Sequence, residues 1–185
     1  MKAPQLTRRA YGTDDVFLAG EGWAEAPGDI HAAGNASAAP ARVLVTFLLP
    51  EGAPLTTVEG MPSDDAPPGP VASFQSRRVS VGSFGEFDEV ATTVLAFAPG
   101  AWTPRHSHAG LTLVGVLDED MTVRGDDGET TYRPGDLWVE APGNIHAAGN
   151  TASSDAHVAV TFLLRRGAAA TTLEPAEAHS DSAGI

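Results

Sequence analysis

Apolar residues in this chain recur in short runs rich in β-branched side chains, separated by turns that contain glycine or proline. Three of these runs are Val90–Phe97, Leu111–Leu117 and His157–Leu164. No stretch shows a sustained 3.6-residue apolar period, so almost no helix is expected. Short strands at regular intervals with turn signals between them are typical of a β-sandwich or a β-barrel. The pattern therefore predicts an all-β protein.

The remaining strand predictions follow the same rule. In the first half of the chain they are Ala10–Val16, Trp23–Ala26, Ile30–Ala33, Arg42–Leu49 and Ser73–Val81. In the second half they are Trp102–His108, Met121–Arg124, Glu129–Tyr132, Leu137–Glu140 and Ile145–Ala148. A hairpin turn is expected at Gly125–Gly128, because glycines stand at both ends of an Asp-Asp pair.

The chain contains an internal repeat. Residues 20–59 align without gaps on residues 135–174, an offset of 115, with 24 identities in 40 positions. The segment that contains His106 and His108, which precedes the second copy, has no counterpart before the first copy. We therefore expect a partial module at residues 1–60, a Pro- and Asp-rich linker at 61–70, a complete module at 71–174 and a disordered tail at 175–185.

The partial module raises a packing problem at Val43–Leu49. This apolar, β-branched run is an aggregation hazard if its backbone and side chains stay uncovered at a sheet edge. One hypothesis is that the partial module docks on the outer sheet of the complete one, or swaps into a partner chain to form a homodimer. The alternative is a remnant of a duplication that packs loosely.

Composition excludes several classes of function. The formal net charge is −13, from 24 acidic and 11 basic residues, which argues against nucleic acids and anionic membranes as partners. There is no cysteine, so disulfides, thiolate metal sites and cysteine nucleophiles are excluded. No apolar run follows Arg8-Arg9 as in a signal peptide, and none approaches a membrane span. We expect a cytoplasmic protein that binds a small molecule.

Three histidines form the candidate site. His106 and His108 are two residues apart, so on a strand their side chains share one face. His146 follows the Pro142-Gly143 turn and could come from a facing strand. Three imidazoles that converge in an apolar pocket make a metal site, and imidazole suits several divalent transition metals. We predict Fe, Mn, Zn or Ni as the bound ion, held by His106, His108 and His146.

These residues lie in two segments that resemble the two sequence motifs of the cupin superfamily. The first runs from Gly100 through five residues to His106-Ser107-His108, and the second from Gly135 through Gly143 and His146 to Asn150. The resemblance covers residues 71–174 and implies a small double-stranded β-helix, the jelly-roll-like cupin barrel, preceded here by a half-cupin β segment.

The sequence departs from the motifs at three positions. Thr112 stands where the family usually has its glutamate ligand, Glu119 stands where the first motif ends in glycine, and Ala141 takes the proline position of the second motif. Thr112 shares the strand parity of the two histidines, so it should face the metal without adding a charge. The resulting site would have open coordination positions, or it would mark a barrel that has lost its metal.

The sequence also predicts the positions and roles of residues outside the three-histidine site. Trp102, Met121 and Trp138, with Thr112, are predicted to line the pocket, with plain core packing as the alternative. Arg105, His157 and His179 are expected at the surface, and His31, the repeat counterpart of His146, is expected to bind no metal. Asn150 should stabilise a turn and strand end through side-chain hydrogen bonds to the backbone. No residue is singled out as catalytic, and Glu140 is assigned a structural role.

A fold of this kind hosts many activities, so function has to be argued from the site. The first hypothesis is a metal-dependent enzyme on a small organic molecule, dioxygenase-like or isomerase-like, with a three-His site. The second is a non-catalytic sensor or storage module that binds a small molecule or a metal. A third is an assembly role for the partial module, with a barrel that is only structural.

Overall fold

The computed structural model describes residues 5–57 and 87–175, and within them every regular element is a β-strand. The strands, in chain order, are β1 Leu6–Ala10, β2 Thr13–Phe17, β3 His31–Asn35, β4 Glu89–Phe97, β5 His106–Ser107, β6 Leu111–Asp118, β7 Met121–Gly125, β8 Gly128–Tyr132, β9 Leu137–Glu140, β10 His146–Asn150, β11 Ala156–Leu164 and β12 Thr172–Leu173. The predicted all-β class is therefore confirmed.

The chain divides into two compact units, residues 1–47 and residues 48–185. The smaller unit is a three-stranded antiparallel sheet in the order β2-β1-β3. Its β1–β2 hairpin turns at Tyr11-Gly12, where both residues have positive φ. Ion pairs between Arg8 and Asp15 at 2.7 Å and between Arg9 and Asp14 at 2.6 Å cross the hairpin.

The larger unit is built from two antiparallel sheets. One sheet has five strands in the order β12-β5-β10-β7-β8, and the other has four in the order β4-β11-β6-β9. Neighbours in these orders are mostly distant in sequence, as in a jelly-roll-like barrel. The architecture is a jelly-roll-like arrangement of two antiparallel sheets, in agreement with the expectation from the sequence motifs.

The core of the larger unit lies between the two sheets. Along β6, Thr112, Val114 and Val116 are buried and alternate with less buried neighbours, the period expected of a strand with one inward face. β11 is buried along almost its whole length, and it pairs with β4 on one side and β6 on the other. The core cluster includes Phe97, Val114, Val116, Met121, Trp138, Val158, Val160, Phe162 and Leu164.

Strand predictions in the second half agree with the structure, apart from Trp102–His108. Only His106–Ser107 of that segment is a strand, and Trp102 forms an isolated bridge to Gly149. Pro104 explains the break, because it has no backbone N–H to donate to a neighbouring strand. The hairpin turn at Gly125–Gly128 is confirmed by the pairing of β7 with β8.

Several strand predictions in the first half of the chain disagree with the structure. The strands predicted at Arg42–Leu49 and Trp23–Ala26 are wrong, since neither segment is in a strand. The segment Ala10–Val16 is a hairpin end followed by β2 rather than one strand. The predicted linker at 61–70, the strand Ser73–Val81 and residues 176–185 of the predicted tail lie outside the described residues.

In the part of the chain that the structure describes, no helix is long and apolar enough to cross a bilayer.

Candidate metal centre

His106, His108 and His146 meet inside the larger unit. β5 and β10 are antiparallel neighbours, and His106 pairs directly with His146. Their ring centroids are 4.4 Å apart, and the ring of His108 lies 4.9 Å from His106 and 5.2 Å from His146. All three side chains are buried. The structure thus brings together the three residues that the sequence selects.

A backbone carbonyl fixes the tautomer of each ring. Nδ1 of His106 lies 2.8 Å from the oxygen of Pro104, and Nδ1 of His108 lies 2.8 Å from the oxygen of Ala170. Nδ1 of His146 lies 3.2 Å from the oxygen of Asn144. A carbonyl oxygen only accepts, so each Nδ1 must carry the hydrogen.

In a neutral ring of this tautomer, the Nε2 lone pair is free for a metal. The three rings offer nitrogen atoms that all lie within 4.8 Å of one another. This backbone support is the arrangement that usually orients metal-binding histidines.

A carboxylate that the sequence did not single out also lies in the site. Glu140 ends β9 and is buried. Its Oε1 lies 3.0 Å from Nε2 of His146 and accepts a hydrogen bond of 2.8 Å from Nε1 of Trp138. Its Oε2 lies 3.1 Å from Nε2 of His108. The structural role expected for Glu140 therefore covers only part of its contacts.

The ionisation of the site depends on these contacts. Burial alone would raise the pKa of Glu140, but the adjacent imidazoles of His108 and His146 outweigh it and lower the pKa to about 2. Burial lowers the pKa of His106. Burial acts in the same direction on His146, but the Glu140 carboxylate outweighs it and raises the pKa of that ring. Glu140 is thus a buried anion at neutral pH.

These residues fit a divalent cation. Oε2 of Glu140 is buried and has no hydrogen-bond donor, although Nε2 of His108 is only 3.1 Å away. Nδ1 of that ring faces the Ala170 carbonyl, so in the neutral ring Nε2 carries a lone pair, and the contact with Oε2 is favourable only with a proton or a cation between the two atoms. A divalent cation bound by the three imidazole nitrogens would supply that positive charge. His and carboxylate donors are the set that a transition metal accepts.

The four side chains open onto a cavity of about 190 Å³. Its walls are mostly apolar. The residues that line it are Leu95, Phe97, Thr103, Pro104, His106, His108, Val114, Met121, Trp138, Glu140, His146, Ala148, Val158, Val160, Phe162, Thr171 and Leu173. Apolar walls with a few converging polar groups are typical of small-molecule sites.

The four predicted pocket residues take different places. Met121 and Trp138 line the cavity, and the Trp138 ring stacks on Tyr132 at 4.4 Å. Thr112 is fully buried in the sheet beside Glu140 and lies outside the lining. Trp102 also lies outside the lining, where the guanidinium of Arg124 covers its ring at 3.7 Å.

The remaining polar residues of the motifs are structural or exposed. Asn150 is fully buried and donates to the carbonyls of Phe97 and Ser154 at 2.8 and 2.7 Å, which confirms its predicted role. Arg105 is a surface charge paired with Asp126, as predicted.

His157 lies at the surface beside Asp118, as predicted. His31 contacts Glu25 at 2.9 Å in the smaller unit.

Sequence reasoning missed Glu140 although a signal was present. Trp138 and Glu140 share one face of β9, and a carboxylate next to an inward-facing tryptophan is unusual. The repeat concealed this signal, because Glu25 occupies the same place in a copy that lacks two of the histidines.

Part of the larger unit is similar to known proteins. Residues 93–162 match the family model described as the cupin domain. A germin-like protein, subfamily T member 3, from Arabidopsis thaliana is 40% identical over 62 residues, which are 30% of this chain and 27% of that protein. The chain therefore spans about a quarter of that curated relative.

Solved structures with similar folds include a cupin superfamily protein from Desulfitobacterium hafniense. It is 21% identical, with a TM-score of 0.39, over 43% of this chain and 72% of its own. A DMSP lyase from Ruegeria pomeroyi is 21% identical, with a TM-score of 0.44, over 49% of this chain and 46% of its own.

Proposed function

Since the chain carries a cupin domain over residues 93–162, we propose that it is a metal-dependent protein acting on a small organic molecule. His106, His108 and His146 hold a divalent transition metal, and the adjacent cavity receives the substrate. The single observation that supports this most strongly is the convergence of three buried imidazoles, each with Nδ1 against a backbone carbonyl.

The bound ion would act as a Lewis acid towards an oxygen of the substrate. The protein's own residues have two tasks around it. The carbonyls of Pro104, Ala170 and Asn144 keep the rings oriented, so little reorganisation is needed when a ligand arrives. Apolar walls that include Met121 and Phe162 lower the polarity around the rings, which strengthens each electrostatic interaction in the site.

The lining restricts the class of substrate. Among the described residues that form the cavity there is no lysine or arginine. A phosphorylated substrate would therefore find no side-chain cation there, although phosphate recognition usually depends on one. The cavity is also smaller than the roughly 300 Å³ at which drug-sized ligand pockets begin. Both points favour a small, largely apolar molecule.

Two kinds of reaction suit such a site, one dioxygenase-like and one isomerase-like. An isomerase needs a group that moves a proton, and Glu140 is the carboxylate in reach. A dioxygenase-like reaction needs no separate base but needs open positions on the ion.

A non-catalytic binding protein is the second candidate. It is favoured by the shortage of proton-transfer groups, since His and Glu140 are the titratable side chains in the described lining.

Reconstitution of the metal-free protein tests the proposal. The full chain is stripped with a chelator, reloaded separately with Fe(II), Mn(II), Zn(II) or Ni(II), and offered small diketones, phenols and thiols. Oxygen uptake and NMR of the substrate report the two reaction types. We expect turnover with at least one ion, lost in H106A and retained in H157A, whose histidine lies at the surface. Saturable ligand binding without turnover under every ion would favour the binding protein.

A further inference from the structure

The sequence leaves the first cupin-like motif without its carboxylate, because Thr112 occupies that position. The structure contains a carboxylate beside it. We propose that Glu140 is the fourth protein ligand of the metal and supplies, from the neighbouring strand β9, the negative charge that position 112 lacks. This inference rests on the proposed function, since it deepens the account of the same site.

Strand register places Glu140 where this role requires it. Thr112 on β6 pairs directly with Glu140 on β9. Residues directly opposite each other on antiparallel strands project to the same face, with Cβ atoms about 5 Å apart. Thr112 is fully buried, and its short side chain stays near its own strand, within 3.4 Å of the Gly110 carbonyl. The longer Glu140 side chain extends from the adjacent position towards the histidines.

Both carboxylate oxygens of Glu140 face imidazole nitrogens. Oε1 lies 3.0 Å from Nε2 of His146 and Oε2 lies 3.1 Å from Nε2 of His108. These are the nitrogens left for a metal once each Nδ1 faces a carbonyl. Oε1 also accepts from Trp138, whereas Oε2 is buried without a donor. An ion bound by the imidazole nitrogens would give Oε2 the positive partner that it lacks.

The smaller unit shows which part of this arrangement is independent of a metal. Trp23 donates to Glu25 at 2.6 Å, and Glu25 contacts His31 at 2.9 Å, as Trp138, Glu140 and His146 do in the larger unit. The Trp–Glu–His contact is therefore no argument for a ligand. A ligand role is indicated instead by the second oxygen of Glu140, which lies close to His108. Glu25 has no such contact to compare, because its copy lacks the equivalents of His106 and His108.

A titration with Co²⁺ distinguishes a metal-ligand role of Glu140 from a purely structural one. Wild type, E140Q and the matched control E25Q are prepared as metal-free full chains. Affinity is measured by calorimetry, and the visible absorption of bound Co²⁺ reports its coordination. The amide of E140Q still accepts from Trp138, so the wall of the cavity is kept. We expect E140Q to bind at least about 10-fold more weakly, as losses around metal sites usually do, with an altered spectrum. E25Q should match wild type.

The double substitution T112E/E140T supplies the rescue. It returns the carboxylate to the motif position and exchanges the two side chains across the same strand pair, so the total volume is conserved. Recovered affinity relative to E140Q supports the ligand role, since a merely structural glutamate would not be replaced from another strand.

A crystal structure of the Zn²⁺-loaded wild type gives the same test without substitution if a variant fails to fold. The inference requires a Glu140 oxygen within about 2.2 Å of the ion.

Two results would overturn the inference, and only one of them would also reject the proposed metal-dependent function. Wild-type Co²⁺ affinity and spectrum in E140Q would reject Glu140 as a ligand and leave the three-His site standing. Failure of the wild type to bind Co²⁺ at all would reject the proposed function together with the inference.

Discussion

Glu119 has a backbone conformation that suits glycine better. Its φ is 51°, in the left-handed region, and it makes the turn between β6 and β7. In this region Cβ of an L-residue approaches its own carbonyl closely, at a cost of about 1–2 kcal/mol. The first cupin motif ends in glycine at this position. The positive φ explains that preference, because glycine adopts this backbone conformation without a steric penalty.

Replacement of Glu119 by glycine should stabilise the larger unit. We expect E119G to raise the free energy of unfolding by roughly 1 kcal/mol, because relief of the left-handed strain exceeds the greater chain entropy of glycine. Urea unfolding followed by tryptophan fluorescence measures the change. E119A is the control, since alanine removes the charge but keeps Cβ and should give little gain. Equal stabilisation by both variants would assign the effect to charge instead.

The site residues show what sequence alone can predict at this scale. His106 and His108 are predictable because a strand places alternate residues on one face, and His146 because a motif fixes its spacing from the turn. Glu140 is not predictable in the same way. Its position depends on the register between β6 and β9, and register is a tertiary property that the sequence of one strand does not specify.

Among the elements, the two copies of the repeat differ most at their apolar run. Residues 43–49 and 158–164 are identical at six of seven positions, yet only the second run is a strand. The second run pairs with β4 and β6 and is buried, whereas Val43, Val45 and Phe47 are 43–55% exposed. Strand propensity is therefore overridden by the availability of partners. The first copy lacks the front-half segments that would supply them, which explains the wrong prediction at Arg42–Leu49.

A second difference between the copies concerns a glycine pair. Gly149 on β10 lies against the ring of Trp102, where an added Cβ would come within 2.1 Å of the ring atoms. Gly34 on β3 is its counterpart in the repeat, and an added Cβ there meets nothing within 4 Å. The same residue is thus required by packing in one copy and optional in the other.

This pair yields a matched prediction. G149A should lower the free energy of unfolding by about 1–3 kcal/mol, since the Trp102 ring must move out of a filled space. G34A should change it by less than about 0.5 kcal/mol, as substitutions in open positions usually do. Chemical denaturation of both variants in parallel gives the comparison. Similar losses in the two would mean that Trp102 does not pack on Gly149 in solution.

On the scale of the whole molecule, the barrel class and the approximate positions of most strands in the second half follow from the sequence. Periodicity, turn residues and two motifs agree with one another there. The homodimer, the cytoplasmic location and the boundaries at residues 60 and 71 stay predictions. Each depends on a partner chain, a compartment or a segment beyond the described residues, and none of these is encoded in a local pattern.

The central claim concerns one ion held by three rings within the larger unit. Removal of any one ring should abolish tight binding, because the remaining donors leave the buried Glu140 carboxylate insufficiently compensated. His31 offers a matched control, since it is the repeat counterpart of His146 and contacts its own glutamate at 2.9 Å.

The most direct test is the transition-metal content of the full chain purified without a metal-affinity column, for wild type, H146A and H31A. We predict about one equivalent of a divalent transition metal in wild type and H31A, and little in H146A. Less than about 0.2 equivalents in the wild type, or equal metal in H146A and wild type, would contradict the account.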